Sequence, residues 1–74
     1  MNPNDMVIRL FRKLINRACR VELRKITDKD ISFRCGFQDY GFISCVVKYD
    51  TFNKHSPEEI AIQIACDVAR EAIK

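Results

Sequence analysis

The side chains able to do chemistry in this chain are few and scattered: one histidine, His55, and four cysteines, Cys19, Cys35, Cys45 and Cys66. Nucleophilic catalysis needs a thiol or hydroxyl beside a base, and a third group to orient that base. His55 stands alone before a helix start, where a solvated loop or a capping role suits it better than proton transfer. The cysteines are separated by 16, 10 and 21 positions, without the C-x-x-C pair that structural zinc takes. Cys35, Cys45 and Cys66 fall at expected core positions and Cys19 at the edge of an apolar helix face. They read as reduced, small buried hydrophobes; Cys35 and Cys45 are expected neighbours that oxidise only incidentally. Asp28 and Asp30 lack the rest of a calcium-loop series, and the only glycines, Gly36 and Gly41, form no phosphate-cradling motif. No catalytic residue, metal site, cofactor or small-molecule substrate follows from this, and the chain does not read as an enzyme.

Charge offers more. Arg9, Arg12, Lys13, Asn16, Arg17 and Arg20 share one arc of a first helix, with no acid among them. Such an arc is either a solvated face or a surface for phosphate or acid, since like charges repel unless something uses them. A second set lies on a strand face: Arg24, Arg34 and Lys48, with Phe42, Ser44 and Val46 between them. Exposed apolar side chains beside cations stack bases and neutralise phosphate, or form the centre of a protein interface with a charged rim. They are also found as scattered surface apolars without a role.

The elements that must position these residues start from one hairpin, Ile31 to Tyr49. Ile31, Phe33, Cys35 and Phe37 alternate with polar or small residues, and Ile43, Cys45, Val47 and Tyr49 repeat the pattern. A three-residue loop, Asp39-Tyr40-Gly41 with a left-handed Gly41, predicts the pairs Phe37–Ile43, Cys35–Cys45, Phe33–Val47 and Ile31–Tyr49. Val21 to Ile26 reads as an earlier strand, with Val21 and Leu23 inward, joined by a Thr27–Asp30 turn. If the strands are consecutive neighbours, Glu22 lies beside Arg34 on the outer face.

Helices flank the strands. Asn4 to about Arg20 predicts the first, capped by Asn2 or Asn4, with apolar pairs Met6/Val7, Leu10/Phe11, Leu14/Ile15 and Ala18/Cys19 plus Ile8. After a loop over residues 50–55, Ser56 caps the second, Pro57 takes its first position and Glu59 closes a capping box. Ile60, Ile62, Ile64, Val68 and Ile73 flank a row of Ala61, Ala65, Ala69 and Ala72, with Gln63, Asp67, Arg70, Glu71 and Lys74 on the wet side. The expected fold class is α+β: a two-layer α-β-β-β-α domain spanning residues 1–74. Its sheet is a three-stranded antiparallel meander with both helices on one face.

Composition agrees with one small globular core: 74 residues, 47% hydrophobic and 31% charged, with a net charge of only +3. No apolar run approaches a membrane span and charges interrupt any signal-like segment, so the expectation is a cytoplasmic protein.

The element order resembles the double-stranded RNA-binding domain, whose alanine-rich last helix is matched by Ser56 followed by Ala61, Ala65 and Ala69. The resemblance implies an RNA-binding topology over the whole chain. That family's lysine cluster at the last helix is replaced here by Pro57-Glu58-Glu59, and its Gly-Pro-x-His loop by Thr27-Asp28-Lys29-Asp30. Topology alone does not carry function, and the chain is not assigned to the family. The reading is a small interaction domain, similar in size and style to accessory proteins of phages or mobile elements. It binds a protein partner or forms a homodimer through Arg24, Arg34, Phe42, Val46 and Lys48. The alternative is nucleic-acid binding through Arg9, Arg12, Lys13, Arg17 and Arg20 or through the same sheet face.

Overall fold

A computed structural model describes residues 3–73. Its elements follow the expected order: α1 (Pro3–Asn16), β1 (Cys19–Ile26), β2 (Asp30–Phe37), β3 (Tyr40–Lys48), a 3-10 turn (Tyr49–Asn53) and α2 (Pro57–Ala72). The strands form one antiparallel sheet in the order β1-β2-β3, leaving β1 and β3 as its edges. Val7, Leu10 and Leu14 of α1 and Ile60, Ala61, Ile64 and Val68 of α2 share one core with Ile31, Phe33, Cys35 and Val47. The α+β class and both helices on one face are as the periodicity predicts.

The hairpin keeps its parity but not its register. Its loop is the pair Gln38-Asp39, and Phe37 faces Tyr40. Beyond a bulge the pairs are Cys35–Ile43, Phe33–Cys45 and Ile31–Val47, each two residues off the expected partner. Gly41 is left-handed, at φ 73°, but as the extra residue of that bulge, where it and Phe42 stand against Gly36. A slip of two preserves which side chains face inward, so the apolar pattern does not distinguish the registers. Packing does. A Cβ on Gly36 would sit 2.7 Å from the Phe42 ring, so only glycine leaves room for that ring. A Cβ on Gly41 would sit 3.1 Å from the Val68 carbonyl oxygen of α2.

The first helix ends four residues early. The Arg17 and Ala18 amides turn back to the Leu14 and Ile15 carbonyls at 3.0 Å, and Ala18 takes φ 64°, a left-handed stop. Asn4 lies inside the helix, and Asn2, like Lys74, lies outside the described residues. Cys19 is therefore a strand residue, buried opposite Phe37. Ile8 and Ile15 are exposed rather than packed, because α1 buries the narrower arc centred on Leu10 and Leu14.

Leu23, expected inward, is 52% exposed, since the helices cover the edge strand β1 only in part. Tyr49 opens the 3-10 turn instead of ending β3, and its hydroxyl donates to the Thr27 carbonyl at 3.0 Å. Phe52, read as loop, is buried by that turn. The second helix matches its signal: Ser56 and Glu59 exchange 3.2 Å bonds in a capping box, after which Pro57 begins the helix. Cys66, expected in the core, is exposed, and so are Ile62, Ala69 and Ile73. No described helix is long and apolar enough to cross a membrane.

Candidate protein-binding edge

The outer sheet face carries Arg34, Phe42, Val46 and Lys48 as expected, but two of them are already engaged. Arg34 donates to Glu22 at 3.3 Å, and its guanidinium carbon lies 4.9 Å from the Phe42 ring centroid. The ring is thus covered by its own cation and packs close against Gly36. A base would have to displace Arg34 to stack there. Arg24 is the extra residue of a bulge in β1, and Lys25 holds the position opposite Ser32. Val46 is the large apolar side chain that the face leaves open, at 63% exposure.

The basic arc is divided as well. Only Arg9, Arg12 and Lys13 belong to α1; Arg17 follows the helix and lies 3.9 Å from Glu58 of α2. Arg20 belongs to β1, where it donates to the Gln38 carbonyl at 3.4 Å. Asp5, exposed on α1, stands one turn before Arg9, so the arc is not free of acid at its start. Arg9, Arg12 and Lys13 are exposed and form no ion pair among the described residues.

Sequence reasoning missed a groove of about 620 Å³ running between β3 and α2. Five consecutive β3 residues, Ile43 to Val47, line it, so it wraps around the strand edge instead of lying on one face. Ile60 and Ile64 extend its apolar floor; Glu59, Gln63 and Asp67 form a polar rim one helical turn apart. Glu59 is held below the usual carboxylate range by the Ser56 backbone amide and then by His55 at 3.4 Å. Asp67 accepts from Gln63 at 3.2 Å and from Arg70 at 3.3 Å. Burial pushes the Cys45 thiol up to about 11, helped by the negative charge of Asp67. Cys35 is pushed to about 12 by burial and by neighbouring Cys19. These thiols are protonated at neutral pH and are poor nucleophiles.

The backbone of β3 supplies the rest. Tyr49 N–H donates to the Lys29 carbonyl at 2.9 Å, which makes 29–49 a hydrogen-bonded pair. Counting back by twos along the observed register, Ile43, Cys45 and Val47 bond to β2. Ser44 and Val46 therefore turn their N–H and C=O toward the open side, as Lys48 does its N–H, while the Lys48 carbonyl starts the 3-10 turn. Among the described residues no cluster of His, Cys, Asp or Glu is arranged to hold a metal ion. No family model matches the chain, and no curated protein or solved structure matches it either.

Proposed function

We propose that this chain is a non-enzymatic protein-interaction domain that works through the β3 side of its sheet. One observation carries the reading: β3 is an open edge that presents unpaired backbone groups and, in Val46, an apolar side chain at 63% exposure. Backbone groups that find no partner in the fold are a standing template for another chain. Self-association through Phe42 and Val46 is the simplest form, because burying apolar surface contributes about 25 cal/mol per Å². Light scattering over a concentration series tests it. Phe42→Ser combined with Val46→Thr is expected to abolish association, and a wild-type monomer at every concentration removes the homodimer.

A nucleic-acid reading is favoured by one feature, the exposed trio Arg9, Arg12 and Lys13 on α1, which form no ion pair among the described residues. Phosphate contacts there would give an affinity that falls steeply with salt. Binding that is absent at low salt, or flat across salt, disposes of it.

A further inference from the structure

We infer that the groove between β3 and α2 receives an extended segment of a partner protein, added to β3 as a fourth strand, with Lys or Arg at alternate positions. The inference rests on the reading of β3 as the working edge and goes on to name the occupant. Three features of the groove specify that occupant.

Ser44 and Val46 turn their backbone donors and acceptors to the open side, and Lys48 its N–H, so the occupant must be extended and supply a ladder. Its side chains then alternate between the outer sheet face and the groove. The groove's floor is apolar, at Cys45, Val47, Ile60 and Ile64, while its helix rim carries the carboxylates Glu59 and Asp67. A side chain that fits both must have an apolar stem and a cationic head, which describes Lys and Arg. The acid on the rim acts across the groove, since Asp67 is felt by Cys45 on the opposite wall. Arg70 pairs with Asp67 from outside the groove lining, whereas His55 lines the groove beside Glu59, so the rim carboxylate that a partner's cation meets first is Asp67. A second copy of this chain does not meet the requirement at β3, because its own β3 offers Ile43, Ser44, Cys45, Val46 and Val47 where alternate cations are needed.

The probe is a blocked, labelled heptapeptide, Thr-Lys-Thr-Arg-Thr-Lys-Thr, titrated into the ¹⁵N-labelled protein and compared with its glutamate counterpart. The amides of Ser44, Val46 and Lys48 are expected to shift and to gain protection from exchange with the basic peptide only. Val46→Pro removes an outward N–H without touching the β2 ladder, and is expected to weaken binding about tenfold or more. Should that variant fail to fold, Asp67→Lys is the second test, and it is expected to reverse the preference between the two peptides. Equal affinity for both peptides, or shifts confined to the Arg9, Arg12 and Lys13 face, overturns the inference. If neither peptide shifts β3 while Val46→Pro dissolves a dimer, the edge pairs with a second copy. In that case the protein-interaction reading stands and the peptide occupant is wrong.

Discussion

The two edges of this sheet are built to opposite specifications. β1 is broken by a bulge at Arg24 and alternates Arg20, Glu22 and Arg24-Lys25 along its outer side. Bulges and charges are the usual means by which a sheet edge is kept from pairing with another chain. β3 from Ile43 to Val47 has neither: its ladder is regular and it carries no charge until Lys48. Its bulge sits at Gly41 near the hairpin tip, where α2 closes over it through Val68 and Ala72. One edge is guarded by the strand's own composition. The other is left to whatever occupies the space beside α2. The contrast is more informative than either edge alone, because both hang from the same central strand and share one core.

The strongest way to break the comparison is to remove what the edges share. Phe33 is fully buried at the centre of β2 and meets Phe11 of α1 edge-to-face at 5.1 Å. Phe33→Ala is expected to cost about 3–5 kcal/mol, much of what so small a domain has. Urea unfolding followed by amide signals from β1 and β3 should show both edges lost together. Survival of either edge would mean that they are not one cooperative unit.

Next in size is a change confined to the β3 half. Gly36→Ala places a methyl 2.7 Å from the Phe42 ring and 2.9 Å from its Cα, so ring and backbone must both shift. Overpacking of this kind costs about 1–3 kcal/mol. The chemical-shift changes should concentrate on Phe42, Gly41 and Arg34, leaving Leu23 to Ile26 unmoved. Equal disturbance of the two edges would show that the Phe42 contact with Gly36 is not confined to the β3 half.

The groove's helical wall starts at the capping box, and its loss should be smaller. Ser56→Ala is expected to cost about 1 kcal/mol in thermal or urea melts. Glu59 supplies the acid limb. Its carboxyl is held lower in the folded chain than in the unfolded one, so the stability it contributes is present above the unfolded pKa. It is lost as pH falls through the folded value. Glu59→Gln should therefore flatten the acid side of a stability–pH curve while leaving neutral behaviour nearly unchanged. A parallel curve for the variant would show that the bond to Ser56 holds no charge-dependent stability.

How far all this was legible follows from which physical signals are local. The capping box at Ser56-Pro57-Glu58-Glu59 is read correctly because every partner lies within four residues. Strand parity at Ile31, Phe33 and Cys35 is read correctly because alternation needs no knowledge of the partner strand. Register is not, since a two-residue slip leaves every inward side chain inward, and the deciding contact is Phe42 on Gly36. The end of α1 is hidden for a related reason: apolar pairs continue through Ala18/Cys19, while the stop is a left-handed Ala18 with no glycine to announce it. The Arg34–Glu22 pair follows from consecutive strands and forms as expected, whereas the placement of the Phe42 ring beside Arg34 depends on the hairpin register. The groove left no signal in the sequence, because it exists only where α2 lies beside an edge strand.

A guard can be transferred to test whether it is composition that sets the edges apart. Val46→Lys puts onto β3 the kind of charge β1 already has, at an exposed position where stability should change by no more than about 0.5 kcal/mol. Any self-association measured by light scattering should disappear. Arg24→Thr removes charge from β1 but leaves its bulge, and association there should stay absent. A β1 edge that becomes adhesive on loss of Arg24 alone would show that charge, not the bulge, is the guard.

The smallest effect is read by thiol chemistry, which samples both edges without altering the fold. Cys66 is exposed, Cys45 is half-buried in the β3 groove, and Cys19 of β1 and Cys35 of β2 are sealed in the core. An aromatic disulfide reagent at neutral pH should therefore label Cys66 quickly and Cys45 slowly. Cys19 and Cys35 should wait for unfolding. In a Cys66→Ser background the remaining slow phase isolates Cys45, and raising the pH should accelerate it toward its value of about 11. The same shift has a sign for stability. A thiol that stays protonated to about 12 in the fold, as Cys35 does, ionises earlier in the unfolded chain. The stability it contributes is complete below the unfolded thiol pKa and drains away as pH rises toward 12. Cys35→Ala should shrink that alkaline loss, and Cys66→Ser should not. Rapid labelling of Cys19 at neutral pH would mean that the β1 side opens as readily as β3, and the distinction between the two edges would fail.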